Sequence, residues 1–148
     1  MLFRSRPGTE IPQAIEQRAA RWKGNSYVDY AFHVTLSGAL DLRVFEQIPE
    51  AIQQGHPSFK VFTTNILPPH PKRAGNRLDF GRIGFAMEKV AAHGGIMVVH
   101  GEDEDLVQFN YERFREEGRM DGANLHLDRK STRLNSSHIQ KSRMPSSA

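Results

Sequence analysis

Two five-residue runs constrain this chain more than any other feature. Ser58-Phe59-Lys60-Val61-Phe62 and Ile96-Met97-Val98-Val99-His100 place apolar residues on both faces of a strand. A strand that is apolar on both faces has to be covered on both, which is the pattern of parallel strands in α/β proteins. Parallel strands need a crossover between them, most often a helix. The intervening sequence supplies one, with Ile83, Met87 and Val90 at helical spacing.

The same alternation extends in both directions. Residues 9–22 predict a helix, with Thr9 as N-cap, Pro12 in the first turn, and Ile11, Ala14, Ile15, Arg18, Ala19 and Trp22 on one face. Residues 27–35 are aromatic and β-branched and predict a strand. Residues 40–54 predict a helix kinked at Pro49 and stopped by Gly55. Residues 58–64 form the next expected strand, and 78–93 a helix with Phe80 and Ala91 also inward. Ile96–His100 is the third strand and 103–117 a last helix, acidic in its first turn and closed by Gly118. A long loop with three prolines, 65–77, separates the second strand from its helix.

The predicted order, αβαβαβα, fits a doubly wound sheet or a (β/α)₈ barrel. No strand is followed by a glycine-rich phosphate turn, so the dinucleotide-binding form has no support. A barrel needs about 250 residues, against 148 here. The expectation is a partial TIM barrel over residues 1–127, which the resemblance described below implies to be its central piece, strands 3–5 with their helices.

Residues 128–148 differ in kind. Codon by codon, DRKSTRLNSSH and SRMPSSA back-translate into a common sequencing-library adaptor, with HIQK where a sample index lies. This stretch is expected to be translated adaptor and, Ser- and Arg-rich as it is, not to pack. It carries Arg129, Lys130, Arg133, Lys141 and Arg143 against Asp128, so of the chain's net +3 a net −1 remains for residues 1–127. The high pI of 9.4 thus belongs to the tail, and a nucleic-acid-binding function would rest on the tail alone.

There is no cysteine, which excludes a disulfide framework and thiolate metal sites. No apolar run approaches the roughly 20 residues of a membrane span, and the N-terminus lacks a signal peptide's apolar core. A cytoplasmic protein is expected.

Polar groups at strand ends are the candidates for chemistry. They are His33, Lys60 and His100. For the two histidines the plain alternative is a hydrogen-bonded core residue. For Lys60 it is a stem laid along apolar surface with its head in water, which suits poorly a mid-strand lysine between Phe59 and Phe62. A desolvated amine is driven towards its neutral form, and a neutral amine can take up CO₂ as a carbamate. The two oxygens of a carbamate can bridge divalent metals about 3.5–4 Å apart, and a histidine on the next strand can supply a nitrogen.

SFKVF followed some forty residues later by VVHGED resembles the cyclic amidohydrolases: dihydropyrimidinase, hydantoinase, allantoinase and dihydroorotase. VDYAFH resembles the preceding strand of the dihydropyrimidinase–hydantoinase branch. The resemblance covers nearly all of residues 9–127. It implies a (β/α)₈ barrel with two divalent metals, zinc in most members. It implies Lys60 as the carboxylated bridging lysine of the fourth strand and His100 as the ligand ending the fifth, with no ligand role for His33. It implies ring opening of cyclic amides by hydroxide held between the metals, a homotetrameric parent, and a proton-shuttling aspartate. That aspartate, the His-x-His pair and a further histidine are expected outside this chain, which alone should be inactive. The branch carries a substrate-contacting tyrosine five residues after the lysine, where this chain has Asn65; the loop 67–77 would lie over the site. A non-catalytic scaffolding relative is the second reading, and Asn65 is the residue that favours it.

Overall fold

A computed structural model describes residues 2–4, 10–65 and 75–121. Four strands, β1 (Leu2–Arg4), β2 (His33–Thr35), β3 (Ser58–Phe62) and β4 (Ile96–His100), form one sheet in the order β1-β2-β3-β4. Every pairing is parallel. Among the described residues the strand order shows no reversal of the kind that marks a doubly wound fold. β1 is not legible in the sequence: three residues carry no periodicity, and its pairing is a backbone matter. The tail 128–148 and the loop residues 66–74 lie outside the described residues, as does Thr9.

Among the described residues five helices connect or follow the strands: α1 (Ile11–Trp22), α2 (Leu42–Phe45), α3 (Ile48–Gln53), α4 (Phe80–Ala92) and α5 (Glu104–Glu116). Glu10, not Thr9, occupies the N-cap position of α1. Its own side chain caps nothing. Instead Gln47 reaches across, accepting from Ile11 N at 2.7 Å and donating to the Glu10 carboxylate. The expected kinked helix over 40–54 is two helices. Pro49 has no N–H to give the Phe45 carbonyl, and its ring crowds that carbonyl, so α2 ends at Phe45 and α3 restarts with Pro49 in its first turn.

The expected strand over 27–35 shortens to His33–Thr35. Its aromatic residues stack side by side rather than pair along a ladder. Trp22 meets Tyr30 at 5.3 Å, Tyr30 meets Phe32 at 5.4 Å, and Phe32 meets His56 at 6.1 Å between ring centroids. Ser26 Oγ donates to Val28 O at 2.6 Å and closes a turn there. β3 stops at Phe62, two residues early, because the side chains of Thr63 and Thr64 bond to Glu102 and Glu104 beyond β4. In α4, Phe80 and Ala91 face solvent rather than the core, while Ile83, Ala86 and Val90 are buried. Asp79 and Asp103 cap α4 and α5, accepting from Arg82 N and Leu106 N. The glycine stops hold: Gly55 and Gly118 sit at φ 90° and 68°, where a side chain would be strained.

The core lies on one face of the sheet. Val34, Phe59, Val61 and Met97 point into it and meet Ile11, Ile15, Phe45, Ile48, Ile83 and Val90 from the helices. Alternation along the strands sends Ser58, Lys60, Phe62, Val98 and His100 to the opposite face. That face is open at its edge, where Ile96 is 51% exposed.

Two glycines predict opposite responses to alanine. At Gly95 a Cβ would meet Pro57 O and Val90 Cγ1 at 2.9 Å each, whereas at Gly84, inside α4, it would meet nothing. Gly95→Ala should lower unfolding free energy by about 1–3 kcal/mol, and Gly84→Ala should raise it by about 0.5–1 kcal/mol. Urea denaturation of both variants checks the signs; shifts in the same direction would contradict this packing.

Candidate metal and substrate site

β3 and β4 pair so that Lys60 lies beside Val98 and Phe62 beside His100. Lys60 and His100 are therefore two residues out of step, but on the same face. Both address the ring of Phe62. Lys60 Nζ lies 5.0 Å from its centroid and the imidazole of His100 5.2 Å. Phe62 is buried, and Lys60 and His100 are half-buried. The lysine is thus not sunk in a core, as its apolar neighbours in sequence imply. Phe59 and Val61 belong to the other face.

His100 Nε2 is sealed from solvent and makes no hydrogen bond among the described residues, although Glu102 Oε2 lies 3.2 Å away. The Glu102 side chain is only 10% exposed. His33 sits elsewhere. It opens β2 at the end opposite to His100, where its Nδ1 meets Ser58 Oγ at 2.5 Å. Partial burial, then nearby positive charge including Lys60, holds its imidazole below the ordinary range. The sequence groups it with Lys60 and His100 near strand ends, with two strand residues still to follow it; in the structure the strand begins with it, at the other end of the sheet from His100.

The turn after β3 is bound to the turn after β4 by a dense set of bonds. Thr63 N donates to His100 O at 3.0 Å. Thr63 Oγ donates to Glu102 O at 2.6 Å and accepts from Glu102 N at 2.8 Å. Glu104 receives three bonds from the next two residues: Thr64 Oγ at 2.5 Å, Asn65 N at 2.6 Å and Asn65 Nδ2 at 2.8 Å. Asn65 Oδ1 in turn accepts from Asn76 N at 2.7 Å and Arg77 N at 3.1 Å, fixing the start of the segment that leads to α4. Burial alone would raise the pKa of Glu104; the bonds from Thr64 and Asn65 and the charge of Arg77 outweigh it and hold the carboxyl below its ordinary value.

Sequence reasoning takes the acidic residues after His100 for helix-end charges. Asp103 is one. Glu102 and Glu104 are not: one turns back to His100, the other clamps the preceding strand. The available signal was Thr63-Thr64-Asn65, three hydrogen-bonding side chains in a row directly after an apolar strand.

The residues present fit part of a divalent-metal site. An imidazole and an amine share one face of the sheet, on adjacent strands. Among the described residues no three His, Asp or Glu side chains gather as a metal cluster, so the chain offers an edge of such a site.

The chain thus carries a lysine and a histidine on adjacent parallel strands, on the sheet face opposite the core. No family model matches the chain. Individual proteins do, and they are D-hydantoinases and dihydropyrimidinases. The chain is 27% identical over 115 residues to the D-hydantoinase of Geobacillus stearothermophilus, covering 77% of this chain and 23% of that protein. It is 26% identical over 110 residues to the D-hydantoinase of Rhizobium radiobacter, covering 72% and 22%. Its fold matches the dihydropyrimidinase from Brevibacillus agri NCHU1002 with a TM-score of 0.68 at 21% identity, over 81% of this chain and 24% of that one. The D-hydantoinase from Thermus sp. gives 0.67 at 22% identity, over 86% and 26%. The chain spans about a quarter of the length of these relatives.

Glu104 gives a prediction with a pH signature. Glu104→Gln replaces an acceptor for four donors, from Thr64, Asn65 (two) and Gln108, by a group that must itself donate, at a cost of about 1–3 kcal/mol near neutral pH. The folded pKa of Glu104 is depressed, so its contribution is complete above the ordinary value of 4.5 and is lost as pH falls through the folded value. The stability gap between wild type and variant should close on acidification below that range. A gap that stays constant in urea titrations from neutral to acid pH would sink this account of the clamp.

Proposed function

We propose that this chain is the central part of a D-hydantoinase-like hydrolase of cyclic amides and carries one edge of its divalent-metal centre. The observation that carries the reading is the convergence of Lys60 and His100, on adjacent strands and one face of the sheet, on the ring of Phe62. The single-wound strand order supports a segment of a (β/α)₈ barrel, in which the open face is the inside.

In this reading Lys60 and His100 are the donors. The neutral amine of Lys60 would add to CO₂: a nitrogen–carbon bond forms as one C=O π bond opens, the nitrogen loses a proton, and the carbamate shares a single negative charge over its two oxygens. His100 presents a neutral nitrogen. Two divalent metals, zinc by expectation, supply when bound an acidified water and polarisation of the amide carbonyl. Phe62 and Val98 exclude water beside the donors. No proton shuttle is assigned to this chain. Asn65 as a substrate contact has to act while its side chain holds Glu104, Asn76 and Arg77, and those bonds are what favour the second reading, a non-catalytic scaffolding relative.

Zinc titration of the full chain in bicarbonate buffer, by calorimetry, tests the assignment. Weak binding is expected, reduced about tenfold or more in both Lys60→Ala and His100→Ala. Hydantoin and dihydrouracil should not be hydrolysed by this chain alone. Equal affinity in all three proteins would remove Lys60 and His100 from the site.

A further inference from the structure

We infer that Thr63 and Glu102 are positioning residues for His100, holding its ring so that Nε2 is given to the Glu102 carboxylate and Nδ1 is the nitrogen left for a metal. The inference rests on the reading of His100 as a ligand.

The turn from β4 into α5 has little regular structure of its own to hold it. Thr63 supplies what is missing. Its N–H takes the carbonyl of His100, and its hydroxyl takes both the N–H and the carbonyl of Glu102. A hydroxyl can do this because it donates once and accepts through its lone pairs. Thr63 is itself buried, so these bonds face little competition from water. The backbone on both sides of Gly101 is thereby fixed, and the Glu102 side chain folds back under the imidazole.

Two buried polar groups then face each other, Nε2 and Oε2 at 3.2 Å. Leaving either one unpaired in a site sheltered from water is costly. The distance lies at the long end of hydrogen bonding; a small rotation of the ring aligns Nε2–H with the carboxylate. Metal-binding histidines are held in this manner, one nitrogen on the ion and the other N–H on a carboxylate or carbonyl, which fixes both tautomer and ring orientation. Phe62 packs against the imidazole at 5.2 Å and limits the alternative ring orientations.

The test is ¹⁵N NMR of the full chain with labelled histidine, in mildly alkaline buffer, before and after addition of zinc. His100 should appear with its proton on Nε2, and zinc should shift Nδ1. Glu102→Gln keeps an acceptor oxygen and should keep this tautomer. Glu102→Ala should give a mixture of tautomers and a zinc affinity lower by about 10–100-fold. Thr63→Val, which keeps the shape and removes the hydroxyl, should move both readouts the same way by less. A proton on Nδ1 in the wild type, or a tautomer indifferent to Glu102→Ala, overturns the inference. If the tautomer follows Glu102 while zinc leaves His100 untouched, the metal reading fails and the Glu102–His100 pair stands.

Discussion

The pairing of β3 with β4 is the constraint on which everything else in this structure depends. Its register sets Phe59 beside Met97 and Val61 beside Val99, with Lys60, Phe62 and His100 turned the other way. A slip of one residue would exchange the faces. Phe59 and Val61, both fully buried, would lose about 1.5–3 kcal/mol of burial each, and the Lys60 ammonium would enter the core under the helices, where an unpaired charge is costlier still. The hydrophobic core therefore enforces the geometry of the polar face without touching it. That resolves the lysine between two phenylalanines. Phe59 is its neighbour in the chain but belongs to the core, and only Phe62 shares its face.

Legibility in the sequence varies with how local the determining physics is. Ile96–His100 is legible to the residue because glycines mark both ends, Gly94 and Gly95 before it and Gly101 after. The helix stops at Gly55 and Gly118 are equally local. Residues 27–32 mislead because strand composition and an aromatic stack use the same residue types, and only the partners, Trp22 and His56, tell them apart. Pro49 suggests a kink, but whether a proline kinks or divides a helix depends on the partners its neighbours find, and here Gln47 is drawn out of the helix to hold the start of α1. Lys60 and His100 are legible as a pair because strand period and crossover length place them. Asn65 offers the sequence only its position, and its bonds to Glu104 span 39 residues.

The acidic run shows most clearly where sequence reasoning stops. Glu102, Asp103, Glu104 and Asp105 are chemically close and consecutive, and all four suit a helix N-terminus. In the structure Asp103 caps α5, Asp105 stays exposed in its first turn, Glu104 clamps Thr64 and Asn65, and Glu102 turns to His100. What divides them is the direction each side chain takes as the chain leaves β4, and Thr63 sets that direction from beyond the end of another strand.

The charge of Lys60 has a weak partner. Among the described residues no carboxylate pairs with it; its contact is the face of Phe62 at 5.0 Å. A cation–π contact at a partly exposed site contributes about 0.5–1 kcal/mol. Removing one partner of a buried ion pair, by contrast, costs about 3–5 kcal/mol. The clamp residues are built oppositely, with Glu104 saturated by charge-assisted bonds. The chain thus devotes its strong polar interactions to joining the two turns and leaves the amine of Lys60 lightly held on the open face.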